Sequence, residues 1–294
     1  FRRVLFRSLP LAAITGYKCN ELRYYHDGKV IQPSRTVVVG ARSIDDAEKD
    51  NLRYAGVTVF STEDIKEKGI DAVAFSSGMA AITALMEIFK SGDHLITDAD
   101  LYGGTIRLFN NISVKNGFEF THADFTNADI ESMIRENTRA IYIETPSNPM
   151  MRVTDIRKVS EIARKHGILL IVDNTFMSPY FQNPLELGAD IVIHSGTKFL
   201  GGHNDTLAGF VVTNREDIAE KMRFIIKTIG SGLAPFDSWL ILRGIKTLAL
   251  RMEKSQANAI RIVKYLQSEP KILKIYYPGI EGTKSYEICK RQAR

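Results

Sequence analysis

The sequence predicts an α/β protein with a mostly parallel sheet covered by helices on both faces. Three observations point that way. Short runs of valine, isoleucine and leucine recur from Ala72 onward, such as Ala140-Ile141-Tyr142-Ile143 and Ile168-Leu169-Leu170-Ile171-Val172. Segments of helical periodicity lie between them. Several of the runs end in polar residues suited to chemistry. Near-continuous apolar strands are buried on both faces, as in a parallel sheet flanked by crossover helices. In such sheets a ligand sits beyond the carboxyl ends of the strands.

Taken in order, residues 36–40 predict a strand and 45–54 a helix. Residues 57–60 predict a strand, and Thr62-Glu63-Asp64 opens a helix with threonine as N-cap. Further on, 73–75 is a strand and 79–89 a helix, with Ala81, Ala84, Leu85 and Ile88 at helical spacing. Ser91-Gly92-Asp93 breaks that helix. Strand 94–97, helix 105–116, strand 119–122, helix 128–136, strand 140–143, helix 155–165 and strand 168–172 follow. Strands 191–193 and 209–212 complete the sheet. Residues 235–267 read as one long helix leaving the sheet domain, and 272–277 as the first strand of a second domain that is cut short. The chain opens at Phe1 without methionine and stops at Arg294 inside a charged, helix-like run, so truncation at both ends is expected.

Composition narrows the function. The 294 residues, 44% hydrophobic and 25% charged, are those of a soluble globular chain. A net charge of +5 is scattered rather than striped, which reads as a solvated surface and not a nucleic-acid binder. Cys19 and Cys289 are too few and too far apart for a disulfide framework and suit a reducing cytoplasm. No apolar run approaches the roughly 20 residues of a membrane span. The basic opening lacks the apolar core and cleavage site of a signal peptide.

Three strands run into polar residues at the carboxyl edge of the sheet. One ends in Asp173, one leads into His194-Ser195-Gly196-Thr197-Lys198, and one into Glu144-Thr145-Pro146-Ser147-Asn148-Pro149. A carboxylate and an amine so placed can face one ligand, and pyridoxal phosphate needs that pair. The amine holds its aldehyde, and the carboxylate keeps its ring nitrogen protonated so that the ring draws in electrons. A partly buried lysine near other cations loses its proton more readily. Ser76-Ser77-Gly78-Met79 follows a strand and opens a helix, whose first amides suit a phosphate. Ser195 and Thr197 offer hydroxyls to the same anion. Each feature also has a plainer use: a Ser-Gly turn caps helices, and an Asp at a strand end forms turns.

Six motifs then occur in order. They are Phe75-Ser76-Ser77-Gly78-Met79-Ala80-Ala81, Asp100-Leu101-Tyr102-Gly103-Gly104-Thr105, Glu144-Thr145-Pro146-Ser147-Asn148-Pro149, Val172-Asp173-Asn174-Thr175-Phe176, His194 through His203, and Trp239 through Leu248. On these residues the sequence resembles the Cys/Met metabolism family of pyridoxal-phosphate enzymes, which includes cystathionine synthases and lyases. The resemblance implies an aspartate-aminotransferase-like (type I) fold and pyridoxal 5'-phosphate as cofactor. It implies Lys198, Tyr102 and Asp173 as catalytic residues. Lys198 would hold the cofactor as a Schiff base and move protons, Asp173 would pair with the ring nitrogen, and Tyr102 would stack on the ring. Ser77, Gly78, Met79, Ser195 and Thr197 would hold the phosphate, and Asn148 the ring hydroxyl. No metal is implied. A sulfur amino acid is the implied substrate, and a homodimer or homotetramer in the cytoplasm the implied form.

Gly196 and Phe199 depart from the commoner Ala and Tyr, both tolerably. The family's N-terminal Tyr-x-Arg is absent, and its C-terminal domain is almost wholly missing. Leu11 through Gly16, Val38 through Asp45 and Ala55 through Ile65 resemble instead an arginase/agmatinase-type ureohydrolase, without that family's Asp/His manganese motifs. The expected organisation is an inert ureohydrolase-like fragment at 1–70, a cofactor-binding domain at 71–235, and a connecting helix with the start of a C-terminal domain at 236–294. Three functions stay open: a pyridoxal-phosphate lyase or transferase of transsulfuration, a fragment that binds the cofactor without turnover, and a manganese ureohydrolase.

Overall fold

The computed structural model of the protein describes the strands Val37–Ala41 and Thr58–Ser61 and residues 69–293. The chain falls into two compact units, Phe1–Lys68 and Gly69–Arg294. In the first, β1 (Val37–Ala41) pairs in parallel with β2 (Thr58–Ser61), close to the two strands predicted there. The predicted helix 45–54 and the one opened at Thr62 lie outside the described residues.

The second unit follows the predicted alternation. Its elements are β3 (Asp71–Phe75), α1 (Gly78–Met86), β4 (His94–Asp98), α2 (Gly103–Asn111), β5 (Glu119–Ala123), β6 (Thr138–Glu144), α3 (Ile156–Lys165) and β7 (Leu169–Asp173). Then come the short α4 (Ser178–Phe181), β8 (Ile191–Ser195), β9 (Gly209–Thr213), α5 (Glu216–Ile229), α6 (Pro235–Ile245), α7 (Leu248–Ser268) and α8 (Lys284–Gln292). Seven strands form one sheet in the order β3-β9-β8-β7-β6-β4-β5. Only β9 runs against its neighbours, and the other pairings are parallel.

Side-chain alternation along the strands builds a core on each face. Leu95, Tyr142, Ile171, Ile191 and Ile193 pack on one side with Leu85 of α1, Phe109 of α2 and Met222 of α5. Their sequence neighbours Ile96, Ile141, Ile143, Leu170, Val172 and Val192 pack on the other with Ile156, Val159 and Ala163 of α3. Burying each such aliphatic side chain stabilises the fold by about 1.5–3 kcal/mol. A sheet with apolar residues at both odd and even positions cannot leave either face to water, so the mostly parallel, two-faced reading holds.

Three local expectations are corrected, and one helix is added. Residues 128–136 are not a helix but contain one 3-10 turn, Glu131–Met133. Asp129 and Ser132 bond each other's backbone there, which closes a local turn in competition with a longer helix. The long helix at 235–267 is two helices, α6 and α7, broken at Lys246-Thr247. Thr247 closes a tight turn onto the Gly244 carbonyl (3.2 Å), and the Arg251 guanidinium donates to the same oxygen (2.7 Å). Residues 272–277 form no strand. Leu273 is 99% exposed, and no neighbouring strand among the described residues takes up the backbone of this segment. Finally, α5 was not anticipated, although Ile218, Met222 and Ile225 lie on one helical face and are buried.

One glycine sets how closely the sheet meets α1. A β-carbon on Gly209 would stand 2.0 Å from the carbonyl oxygen of Ser77. That neighbour is backbone and cannot swing aside. Gly209→Ala is expected to destabilise the protein by about 1–3 kcal/mol. The check is a urea midpoint that falls at unchanged slope; an unshifted midpoint would show that this edge yields freely.

Candidate active site

The carboxyl ends of β6, β7 and β8, with the N-terminus of α1, enclose a cavity of about 930 Å³. All nine residues singled out from the sequence line it: Ser77, Gly78, Met79, Tyr102, Asn148, Asp173, Ser195, Thr197 and Lys198. They come from five separate segments, brought to one edge by the sheet order.

The start of α1 is shaped by its cap. Ser77 is extended (φ −164°, ψ 166°), and its hydroxyl accepts the Ala80 amide at 3.0 Å. Intrahelical acceptors do not exist for the first amides of a helix, and Gly78 and Met79 carry two of them. Gly78 lies against Ser195, where a β-carbon would come within 2.9 Å of the serine's own. Any larger residue would fill the gap between the helix start and β8. This leaves a cradle suited in size and polarity to a phosphate.

Asp173 ends β7 and is almost fully buried. Thr175 donates to its Oδ1 both from the backbone, at 3.0 Å, and from its hydroxyl. The same hydroxyl accepts the Ser195 amide at 2.8 Å, so Thr175 links the carboxylate to the cradle. Burial pushes the Asp173 carboxyl above its ordinary range, while the Thr175 bonds oppose the rise. The Tyr142 hydroxyl lies beside Asp173 and Thr105 but meets hydrogen-bonding geometry with neither. Glu144 ends β6 directly opposite Asp173 and is also buried. Its burial, and then the neighbouring Asp173, push its carboxyl up to about 9.

Tyr102 precedes α2 and is 45% exposed, which leaves its ring open toward the cavity. A β-carbon on Gly104 would stand 2.4 Å from that ring, so the glycine is what lets the ring fold back over the helix start. Asn148 sits in a loop braced by Asp100, whose Oδ2 accepts the Ser147 hydroxyl and the Met150 amide (3.1 Å). The Thr197 hydroxyl is shared with the backbone of Ala208, accepting its amide at 3.2 Å.

Lys198 is exposed, not partly buried as the chemistry had suggested, and it stands on the open side of the cavity. Two other cations, Arg251 and Lys254, line the same cavity. Arg251 fastens the segment after Lys198 by donating to the Phe199 carbonyl at 2.6 Å and to Gly244 of α6 at 2.7 Å. Sequence reasoning gave no role to Thr175, Glu144 or Arg251. A signal for Thr175 existed, because a Thr two residues after an Asp commonly closes a side-chain turn.

At the departure Gly196, a β-carbon would meet the Phe210 ring at 2.5 Å and the Ala208 methyl at 2.8 Å. Glycine is therefore the residue that fits beside this Phe210. The cavity as a whole joins an amine, a buried carboxylate and an anion cradle. That donor set fits an aldehyde-bearing, phosphorylated pyridine cofactor.

Comparison with known proteins agrees. Residues 59–294 match the family described as Cys/Met metabolism PLP-dependent enzyme. The chain is 50% identical over 227 residues to the cystathionine gamma-lyase of Bacillus subtilis (strain 168), a match covering 77% of this chain and 60% of that protein. It is 48% identical to the cystathionine beta-lyase of Lactococcus lactis subsp. cremoris (strain MG1363), with the same coverage. Among solved structures, cystathionine gamma-lyase from Lactobacillus plantarum superposes with a TM-score of 0.76 at 46% identity, over 78% of this chain and 61% of that one. Cystathionine gamma synthase from Xanthomonas oryzae pv. oryzae superposes with a TM-score of 0.75 at 37% identity, over 79% and 61%. The chain belongs to the Cys/Met metabolism family of pyridoxal-phosphate-dependent enzymes. It spans about three fifths of the length of the curated relatives it matches. Residues 15–97 are also similar to the arginase family, overlapping the first match.

Proposed function

We propose that this chain carries the cofactor site of a carbon–sulfur lyase or transferase of transsulfuration, acting on a small sulfur amino acid at its β- or γ-carbon. The observation that carries it is the meeting of Lys198, Asp173 and the Gly78 cradle on one cavity, in a chain of this family. The relatives named above are cystathionine lyases and synthases. In the bound state, pyridoxal phosphate supplies an electron-withdrawing ring that stabilises carbanions next to the substrate's amino carbon.

The protein's own groups would divide the work. Lys198 Nζ would be the amine that holds the aldehyde, and it would move protons between substrate carbons. Asp173 holds negative charge against the ring nitrogen, kept in place by Thr175. Ser77, Gly78, Met79, Ser195 and Thr197 hold the phosphate, and Asn148 the ring hydroxyl. Tyr102 would stack on the ring. The assembled enzyme would be a cytoplasmic homodimer or homotetramer. No helix among the described residues is long and apolar enough to cross a membrane.

Turnover decides among the functions left open. With added pyridoxal phosphate, the chain is expected to release ammonia or thiol from cystathionine. Cofactor uptake without turnover would favour a binding-only fragment, and urea release from arginine or agmatine with manganese would favour the ureohydrolase reading.

A further inference from the structure

Glu144 and Asp173 end adjacent parallel strands, directly opposite each other. Both are buried, at 5% and 7% exposure, and both line the cavity. Neither takes part in an ion pair among the described residues. Two carboxylates side by side, shielded from water and without a cation, do not both ionise. The proton goes to the less well solvated of the two. Asp173 has two donors from Thr175, whereas Glu144 has one, the backbone amide of Tyr102 at 2.7 Å.

The neighbours favour the same assignment. Asp98 at the end of β4 and Asp100 just beyond it both add negative potential at Glu144. The Tyr142 hydroxyl, on its own strand, interacts more strongly with the charge of Asp173 than with that of Glu144. Lys198 lines the same cavity without forming an ion pair with either carboxyl.

We infer that Glu144 is a neutral carboxylic acid and a positioning residue: its oxygen anchors Tyr102 by the backbone, and its neutrality leaves Asp173 as the charged member of the pair. The second half rests on reading the cavity as the cofactor site. Tyr102 has no side-chain cap for α2, so the Glu144 contact is what fixes the residue at the helix start. Glutamine keeps the acceptor oxygen and the absence of charge, so it substitutes for the acid. Alanine removes the acceptor and leaves a partly buried amide unmatched.

The test compares wild type, Glu144→Gln and Glu144→Ala as full chains. The infrared difference between wild type and Glu144→Gln, cofactor-free at neutral pH, should show the carbonyl stretch of a protonated acid. A carboxylate signature in its place would overturn the inference. Thermal unfolding gives an independent arm. A carboxyl protonated only when folded makes stability fall as pH rises above the ordinary carboxylate range. Glu144→Gln should therefore gain stability over wild type on going from about pH 5 to about pH 8, and a pH-independent difference would count against neutrality. Binding gives the third arm. Glu144→Gln should keep the Kd for pyridoxal phosphate within about threefold, while Glu144→Ala weakens it about tenfold by loss of one buried hydrogen bond. Equal damage from both variants would overturn the positioning role. Should wild type take up no pyridoxal phosphate, the cofactor reading fails, while the infrared and thermal arms still decide the charge of Glu144.

Discussion

Lys198→Ala is expected to fold normally and, with pyridoxal phosphate, to show only the free aldehyde's absorption, where wild type gains the red-shifted band of an imine. The side chain is exposed and forms no ion pair among the described residues, so its removal should change stability by no more than about 0.5 kcal/mol. What it removes is the amine at the cavity's open side. With it would go the proposed attachment point and the group proposed to move protons there. Any turnover should fall on the order of 10³-fold, as when a positioned acid–base group is lost. The cradle at Gly78 and the Asp173 carboxylate survive, so non-covalent affinity should persist. A variant with the wild-type spectrum would place the attachment elsewhere, for instance on Lys254, which lines the same cavity.

Asp173→Ala should give the second large effect, on affinity more than on colour. A buried carboxylate without a cation is held above its usual range by desolvation, and a protonated ring nitrogen beside it would relieve that cost. Deleting one partner of such a buried pair costs about 3–5 kcal/mol, which is roughly one hundred- to several thousandfold in Kd. The cofactor-free protein should respond in the opposite sense. Its folded-state carboxyl titrates above the unfolded value, so the group costs stability as pH rises above the ordinary carboxylate range, and the alanine variant escapes that cost. The pattern to look for is a weaker Kd together with cofactor-free stability at neutral pH equal to or above wild type. A variant binding as tightly as wild type would remove Asp173 from the site.

Much of this site could be read from the sequence because its residues sit where strands end. A polar residue after an apolar run, such as Asp173 after Ile171-Val172, reports its own position at the sheet edge. Ser195 at the end of β8 and Lys198 just beyond it announce themselves the same way. The features that escaped depend on contacts between distant segments. Glu144 was visible as a strand end, but its role follows from the β6–β7 register and the reach to Tyr102, 42 residues earlier. The break between α6 and α7 was hidden because its cause is tertiary: Gly244 abuts Gly201, where a β-carbon would stand 2.1 Å from the carbonyl oxygen, and Arg251 binds both segments. Residues 272–277 have a strand's composition, yet composition alone supplies no neighbour for their backbone. The helix α5 was legible and overlooked, its apolar residues spaced four and three apart.

Lys198 is the proposed point where the aldehyde joins this cavity, and the roles proposed for the other residues follow from it. The most direct measurement is borohydride reduction of the full chain with pyridoxal phosphate, followed by peptide mapping. The expected result is one labelled peptide, modified at Lys198 and absent when Lys198 is alanine. Label spread over surface lysines, or none at Lys198 under saturating cofactor, would contradict it.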